Sequence, residues 1–346
     1  MSFDPTKKLR VLVLCQPGLI PPETLEGYTE AQILNWKTEY DVITTLRAMG
    51  HEVFPVEVSS ELGVIHVAID DHRPHVAFNL LEEFDGYPLF DQHVVSYLEL
   101  MKQKYTGCNP RGLTLSKDKA LTKKILAYHR IHVPAFVVFP IARKVRRPKR
   151  LKFPLLVKSV THEGSVGISQ ASVVRNDERL AERVEFIHRK TGSDAIAEQY
   201  IEGREIYVGL MGNNRIQTFT PWEHVLENLP EGQHNIATYK LKWNPEYQRV
   251  VGFTDRPADL PPELERRLLH ISRRIYRTLM LSGYARLDYR MTEDGHFYLL
   301  EANPNPNIAH GDYFSDSART SGLDYGPLLQ KIMTLGMSYN PTPYMQ

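Results

Sequence analysis

Ala285-Arg-Leu-Asp-Tyr-Arg-Met291, Thr292-Glu-Asp-Gly295 and Phe297-Tyr-Leu-Leu-Glu-Ala-Asn303 form two strand-like runs around an Asp-Gly turn. Such a pattern predicts an antiparallel hairpin. Side chains alternate along a strand, so Arg286 and Asp288 share a face, as do Glu301 and Asn303 on the returning strand. Leu287, Leu299, Leu300 and Ala302 are their apolar neighbours. Two carboxylates on one buried face are unfavourable unless cations neutralise them. Arg286 can neutralise one. A hard divalent cation such as Mg2+ satisfies both, and Asn303 supplies a further oxygen. The alternative is an exposed hairpin whose charges face water, but Asn303-Pro-Asn-Pro-Asn307 is an odd ending for an ordinary strand.

Immediately before the hairpin, residues 262–281 predict a long amphipathic helix with Leu264, Leu268, Ile271, Ile275 and Leu279 along one face. Strands are expected at 206–211, 217–220 and 250–255. Further upstream, 116–126 reads as a helix with Ser116 as its N-cap, followed by strands at 135–140, 153–159 and 167–174, a helix at 177–190 and a strand at 195–200. The amino-terminal stretch opens with the apolar run Leu9-Arg-Val-Leu-Val-Leu-Cys15, stopped by Pro17 and Gly18. A helical pattern at 29–49 and strands at 51–58 and 76–81 follow. This alternation argues for a small doubly wound parallel sheet. The chain is therefore expected to be an α/β protein in three units: a Rossmann-like domain (1–110), a central α+β unit (111–200) and a carboxy-terminal α+β unit holding the metal and substrate site (201–346).

With 346 residues, 42 Lys+Arg against 41 Asp+Glu and 42% hydrophobic content, the chain has the balance of a soluble globular protein. A formal charge of +1 supplies no global field for nucleic acid or an anionic membrane, and neither is expected as a partner. The run 143–150 holds six basic residues out of eight, without interleaved aromatics, and reads as a solvated turn. Cys15 and Cys108 are too few for a disulfide scaffold and read as inert reduced thiols. No apolar stretch approaches the ~18 residues of a membrane span, and the start carries no cleavage-site pattern. A cytoplasmic protein is expected.

Two further constellations complete the site. His162-Glu-Gly-Ser-Val-Gly167 follows the strand Phe153-Pro-Leu-Leu-Val-Lys158. Its glycines and serine can present backbone N–H groups to phosphate oxygens, with Lys158 as a point charge. By itself it reads more readily as a plain turn between strands, and it does not match a P-loop. Ala195-Ile-Ala-Glu-Gln-Tyr-Ile-Glu-Gly-Arg-Glu205 runs out into a Glu-Gly turn that can offer backbone groups to an adenine and a carboxylate to a ribose, although by itself it reads as a solvated connector.

Together with Tyr105-Thr-Gly-Cys108 and Lys117-Asp-Lys-Ala-Leu-Thr-Lys123, these motifs resemble the ATP-grasp superfamily, closest to its D-alanine–D-alanine ligase branch, over residues 105–305. The resemblance implies an ATP-grasp fold and an ATP-dependent carboxylate–amine ligase working through an acyl phosphate, with ATP and two Mg2+ ions (or Mn2+) as cofactors. It implies that Lys119 and Lys158 contact phosphates, and that the loop Gly164, Ser165, Val166, Gly167 closes over them. Glu198, Tyr200 and Ile201 then line the adenine edge, with Leu300 beneath the ring and Glu205 on the ribose. Asp288, Glu301 and Asn303 hold the metals. Arg286, Ser165 and Lys242 act in catalysis, Arg286 on the oxyanion and Lys242 on the γ-phosphate from a mobile loop. Partners are a small carboxylate and a small amine, and the dimers common in this branch imply a homodimer.

The acceptor end departs from the branch. Where it places a small hydroxyl residue that helps bind the second substrate's carboxylate, this chain has Asp312, with His310 and Tyr313 beside it. An anion there disfavours a carboxylate and favours a cationic or neutral amine, and a purely structural loop is the equal alternative for these three residues. The loop has one serine where the branch has two, and 16–28 shows no equivalent of its acidic substrate-binding residue. A substrate pair other than two D-alanines is expected; D-alanine–D-alanine ligation itself, an ATP-binding regulator and a phosphotransferase are the alternatives.

Overall fold

The computed structural model describes residues 8–162 and 165–341. The first unit is a three-stranded parallel sheet of β1 (Arg10–Cys15), β2 (Glu52–Glu57) and β3 (Val76–Asn79), in the order β2-β1-β3. It is wrapped by α1 (Glu30–Ala48), α2 (Gly63–His72) and α3 (Asp91–Leu100). Thr29 starts α1 with a capping box to Gln32, satisfying backbone donors that a helix start leaves free. β1 is buried on both faces, as a strand between two helical layers must be. Cys15 and Cys108 are buried free thiols.

Two helices lead onward, α4 (Pro110–Lys117) and α5 (Lys119–Tyr128). The expected cap at Ser116 is incorrect. Asn109 caps an earlier helix with Pro110 in its first turn, so Ser116 is interior to α4; Asp118 adopts an extended backbone and caps α5 through the N–H groups of Ala120 and Leu121. The next sheet has the order β4-β7-β5-β6, from β4 (Phe136–Phe139), β5 (Leu155–Ser159), β6 (Val173–Val174) and β7 (Ala195–Gln199), with α6 (Asp177–Thr191) packed on β5. The expected strand at 167–174 shrinks to two residues. Gly167 has φ +73°, and Ser169 and Ser172 bond each other's backbone around a 3₁₀ turn, so local bonds replace the ladder.

The third unit is a six-stranded antiparallel sheet, in which β11 (Phe253–Pro257), β10 (Trp222–Leu226), β8 (Arg204–Met211), β12 (Tyr284–Met291) and β13 (Phe297–Pro304) lie in that order and β9 (Gln217–Thr218) pairs with β8. Between β10 and β11 lie α7 (Tyr239–Trp243) and α8 (Pro245–Val250). The strand expected at 250–255 starts late because Val250 ends α8 and Gly252 turns the chain at φ +59°. Helix α9 (Pro262–Thr278) lays Leu268 and Ile275, with Leu279 just past its end, against the sheet. There they meet Ile206, Val208, Leu210, Leu287 and Leu299 in one core. Each such side chain taken from water stabilises by roughly 1.5–3 kcal/mol. The opposite sheet face is left for polar groups, partly covered by α10 (Tyr313–Thr320), with α11 (Tyr325–Ser338) behind it.

Two of the contacts between the first unit and the third bear on the site. From α1, Lys37 donates to the His310 carbonyl, Thr38 Oγ1 donates to Asn307 Oδ1 at 2.9 Å, and Asp41 accepts from the His310 N–H at 2.9 Å. At the second contact the backbones nearly touch. A Cβ on Gly283 (φ +67°) would lie 2.3 Å from the Gly107 carbonyl oxygen, and one on Gly107 (φ +95°) 2.5 Å from Asn305 Oδ1. That same oxygen accepts from the Cys108 N–H at 2.7 Å. Among the described residues, no helix is long and apolar enough to cross a membrane.

Candidate active site

Cross-strand register builds the site. On the polar face of the six-stranded sheet, Asp255, His224, Glu205 and Arg290 lie side by side on β11, β10, β8 and β12. Tyr207, Asp288 and Glu301 form a second row, and Arg286 opposite Asn303 a third. Arg286, Asp288, Glu301 and Asn303 therefore come together on one face. Strict alternation would turn Leu300 away from Glu301. A bulge intervenes: Asp288 faces Glu301 but Tyr289 faces Leu299, so Leu300 is unpaired and both Leu300 and Glu301 reach the cleft.

The four-stranded sheet supplies the other wall. Lys158 from β5 and Glu198 from β7 line the cleft with Leu156, Tyr200, Ile201 and Ser165; from the third unit come Glu205, Lys242, Asp288, Arg290, Leu300 and Glu301. Ser165 adopts φ +62° and donates to the Ala237 carbonyl at 2.7 Å, joining the loop to the segment before α7. Val166 and Gly167 are half-buried but do not line the cleft, and the Gly167 carbonyl accepts from Arg183. Gly164 lies outside the described residues.

Charges in the cleft are largely paired. Lys119, 4% exposed, lies 3.2 Å from Glu301 Oε1 and donates to the His162 carbonyl at 2.7 Å. Burial works against ionised Glu301, yet Lys119, Lys158 and Lys242 outweigh it and hold the carboxyl at about 2. Arg286 grips Asp288 with two bonds of 2.8 and 3.0 Å, and Asn303 Nδ2 donates to Asp288 Oδ2 at 2.8 Å. Burial still raises Asp288 above the usual carboxylate range against the pull of Arg286. Glu205 is bonded to Arg290 at 2.6 Å and accepts from the Tyr207 hydroxyl. Burial is the largest influence on it, but Arg290 prevails and its carboxyl is lowered.

Among the described residues no group of three or more His, Cys, Asp or Glu side chains is arranged to cage a metal. Asp288, Glu301 and Asn303 nonetheless fit a hard cation. All three carry oxygen donors, and two carboxylates suit an ion that keeps waters and arrives with phosphates rather than one held in an all-protein cage. In this structure Arg286 and Lys119 supply the counter-charge.

The surroundings of Asp312 differ. Asp312, at the start of α10, keeps Oδ1 sealed from solvent with no hydrogen-bond partner among the described residues. Burial raises its carboxyl to about 6, Arg286 pulling the other way. The Tyr313 ring stacks on Tyr207 at 5.4 Å, with the Arg286 guanidinium over both rings, and its hydroxyl lies 2.8 and 3.0 Å from the two ring nitrogens of His224. His224 is also bonded to Asp255. His310 stands apart from this group, its ring against Tyr325 and its backbone on α1.

Lys123, Tyr207, His224, Asp255 and Arg290 were not apparent as site residues from sequence. Lys123 had a readable signal, four residues after Lys119 and so on the same helix face. His224 and Asp255 had none, because strand register alone makes neighbours of residues 31 apart.

The family described as D-ala D-ala ligase C-terminus matches residues 125–334. A Sinorhizobium fredii protein, uncharacterized protein y4sG, is 30% identical over 304 residues, covering 84% of this chain and 85% of that protein. The D-alanine–D-alanine ligase of Aquifex aeolicus is 27% identical over 308 residues, covering 89% and 97%. Among solved structures, the Bacillus anthracis D-alanine–D-alanine ligase complexed with ATP superposes with a TM-score of 0.74 at 23% identity, over 96% of this chain and 97% of that one. Fold, cleft and sequence agree: the chain belongs to the D-Ala–D-Ala ligase family and has its α/β ATP-grasp fold.

Proposed function

We propose that this protein is an ATP-dependent carboxylate–amine ligase that activates a carboxylate as an acyl phosphate, forms an amide and releases ADP and phosphate, on a substrate pair other than two D-alanines. One observation carries the reaction class: Arg286 is clamped by Asp288, which lines the cleft together with Glu301 on the same sheet face. Nucleotide binding alone has no need of an oriented guanidinium there.

Lys119 and Lys158 hold the triphosphate, with Ser165 and its loop above them, and Glu198, Tyr200, Ile201 and Leu300 surround the base with Glu205 near the ribose. Asp288, Glu301 and Asn303 hold Mg2+, which when bound draws charge off the phosphates. Only two of the Arg286 N–H groups face Asp288, leaving others to stabilise the oxyanion as the amine attacks the acyl carbon, a contribution of roughly 3–4 kcal/mol. Lys242, exposed on α7, reaches toward the γ-phosphate. Closure of the loop excludes water from the acyl phosphate.

Asp312 supports the substrate part. A half-buried carboxylate with one oxygen free of hydrogen bonds, at the proposed acceptor end, repels a substrate carboxylate. The test is ADP and phosphate release over a panel of carboxylates and amines with Mg2+, with products read by mass spectrometry. An amide formed with one phosphate per ADP is expected. A phosphorylated product without amide, or nucleotide binding without turnover, overturns the reaction class; strong turnover on D-alanine alone overturns the substrate pair.

A further inference from the structure

Lys123 takes no part in the chemistry proposed above, yet it is only 1% exposed and carries a charge into the wall of the cleft. From α5 its ammonium lies 3.3 Å from Glu198 Oε1 and donates to the Leu300 carbonyl. Lys158, from β5, lies 3.3 Å from the same carboxylate oxygen. Lys158 and Glu198 line the cleft, whereas Lys123 stands behind them. The three groups come from a helix and two strands of the four-stranded sheet, and Leu300 from the other sheet, so Lys123 also spans the two walls.

Two ammonium groups sharing one carboxylate leave one positive charge in a place sealed from water, where charge is poorly screened. Without Lys123, Glu198 and Lys158 would form a closed, neutral pair. We propose that Lys123 is a positioning residue for the triphosphate: by taking a share of Glu198 it leaves Lys158 with charge to present to phosphate oxygens. The inference rests on the nucleotide-binding part of the proposed function. The two lysines also respond oppositely to the same carboxylate. Burial, the largest influence, brings Lys123 down to about 8 despite Glu198; burial acts on Lys158 too, but Glu198 and Glu301 outweigh it and hold it above the usual lysine range.

The experiment is calorimetric binding of magnesium tripolyphosphate, magnesium-loaded AMP-PNP and adenosine to the full chain and its variants. Lys123→Met is expected to weaken both phosphate ligands about tenfold and leave adenosine within about twofold. Lys123→Met combined with Glu198→Gln restores the positive charge and is expected to return tripolyphosphate affinity to within about threefold of the unmodified protein. A merely structural lysine would give no such rescue. Lys123→Met binding tripolyphosphate as the unmodified protein does, or a double variant no tighter than the single one, overturns the inference. If Lys123→Met does not fold, the double variant decides: affinity within about threefold supports the inference, and a tenfold loss overturns it. Failure of the unmodified protein to bind magnesium-loaded AMP-PNP would instead overturn the nucleotide reading itself.

Discussion

The proposed phosphate end and the proposed acceptor end of the site treat charge in different ways. At the phosphate end each carboxylate has a cation: Glu198 has Lys123 and Lys158, Glu301 has Lys119, Asp288 has Arg286 and Glu205 has Arg290. At the acceptor end Asp312 keeps a sealed oxygen without a hydrogen bond, and Asp255 is raised by burial in spite of His224. Ion pairs from the strands and from α5 set a counter-charge beside each of these buried acids. A buried carboxylate without such a partner calls for another explanation.

Four substitutions break or sharpen that contrast. The largest effect is expected from Arg286→Met: amide formation with the pair found in the panel should fall roughly 1000-fold, measured as coupled ADP release. A loss of only tenfold would remove Arg286 from the chemistry. Glu301→Gln takes away the acid facing Lys119 and Asp288, and Mg2+-dependent nucleotide affinity should fall about 100-fold by titration calorimetry.

Glu39, on α1 and 5% exposed, is a further acid raised by burial, to about 7, with its own backbone bond opposing and Glu82 adding to the rise. In the unfolded chain it ionises near 4.5. Between these values the folded state binds more protons, so its influence makes stability fall as pH rises, and the loss is complete above pH 7. Urea unfolding should show Glu39→Gln gaining about 3 kcal/mol relative to the unmodified protein on going from about pH 4 to pH 8. A constant difference across that range would contradict it. The smallest effect is expected at the acceptor: Asp312→Thr should raise kcat/KM for D-alanine as acceptor relative to carboxylate-free amines by about tenfold. An unchanged ratio would detach Asp312 from substrate choice.

How much was legible follows from the range of the forces involved. The face shared by Arg286, Asp288, Glu301 and Asn303 could be read directly, because alternation is local. The approach of Leu300 to the cleft could not be read from alternation, since it depends on a bulge that two strands make together. Capping competition moved the helix start from Ser116 to Asp118, and serine side-chain bonds erased most of the strand at 167–174. The partnership of His224 with Asp255 depends on the pairing of β10 with β11 across an intervening pair of helices, beyond any local pattern.

The close approach of Gly107, Gly283 and Asn305 bears on how this chain could be recombined with its relatives. With the Gly107 carbonyl oxygen 2.3 Å from where an added carbon would sit, even alanine at Gly283 would wedge the first unit away from the strand that carries Arg286, and alanine at Gly107 would displace the Asn305 amide that holds the Cys108 N–H. A chimaera joined between residues 107 and 283 must therefore inherit glycine from both parents, and a graft that ignores this would misplace the guanidinium while every site residue remained present.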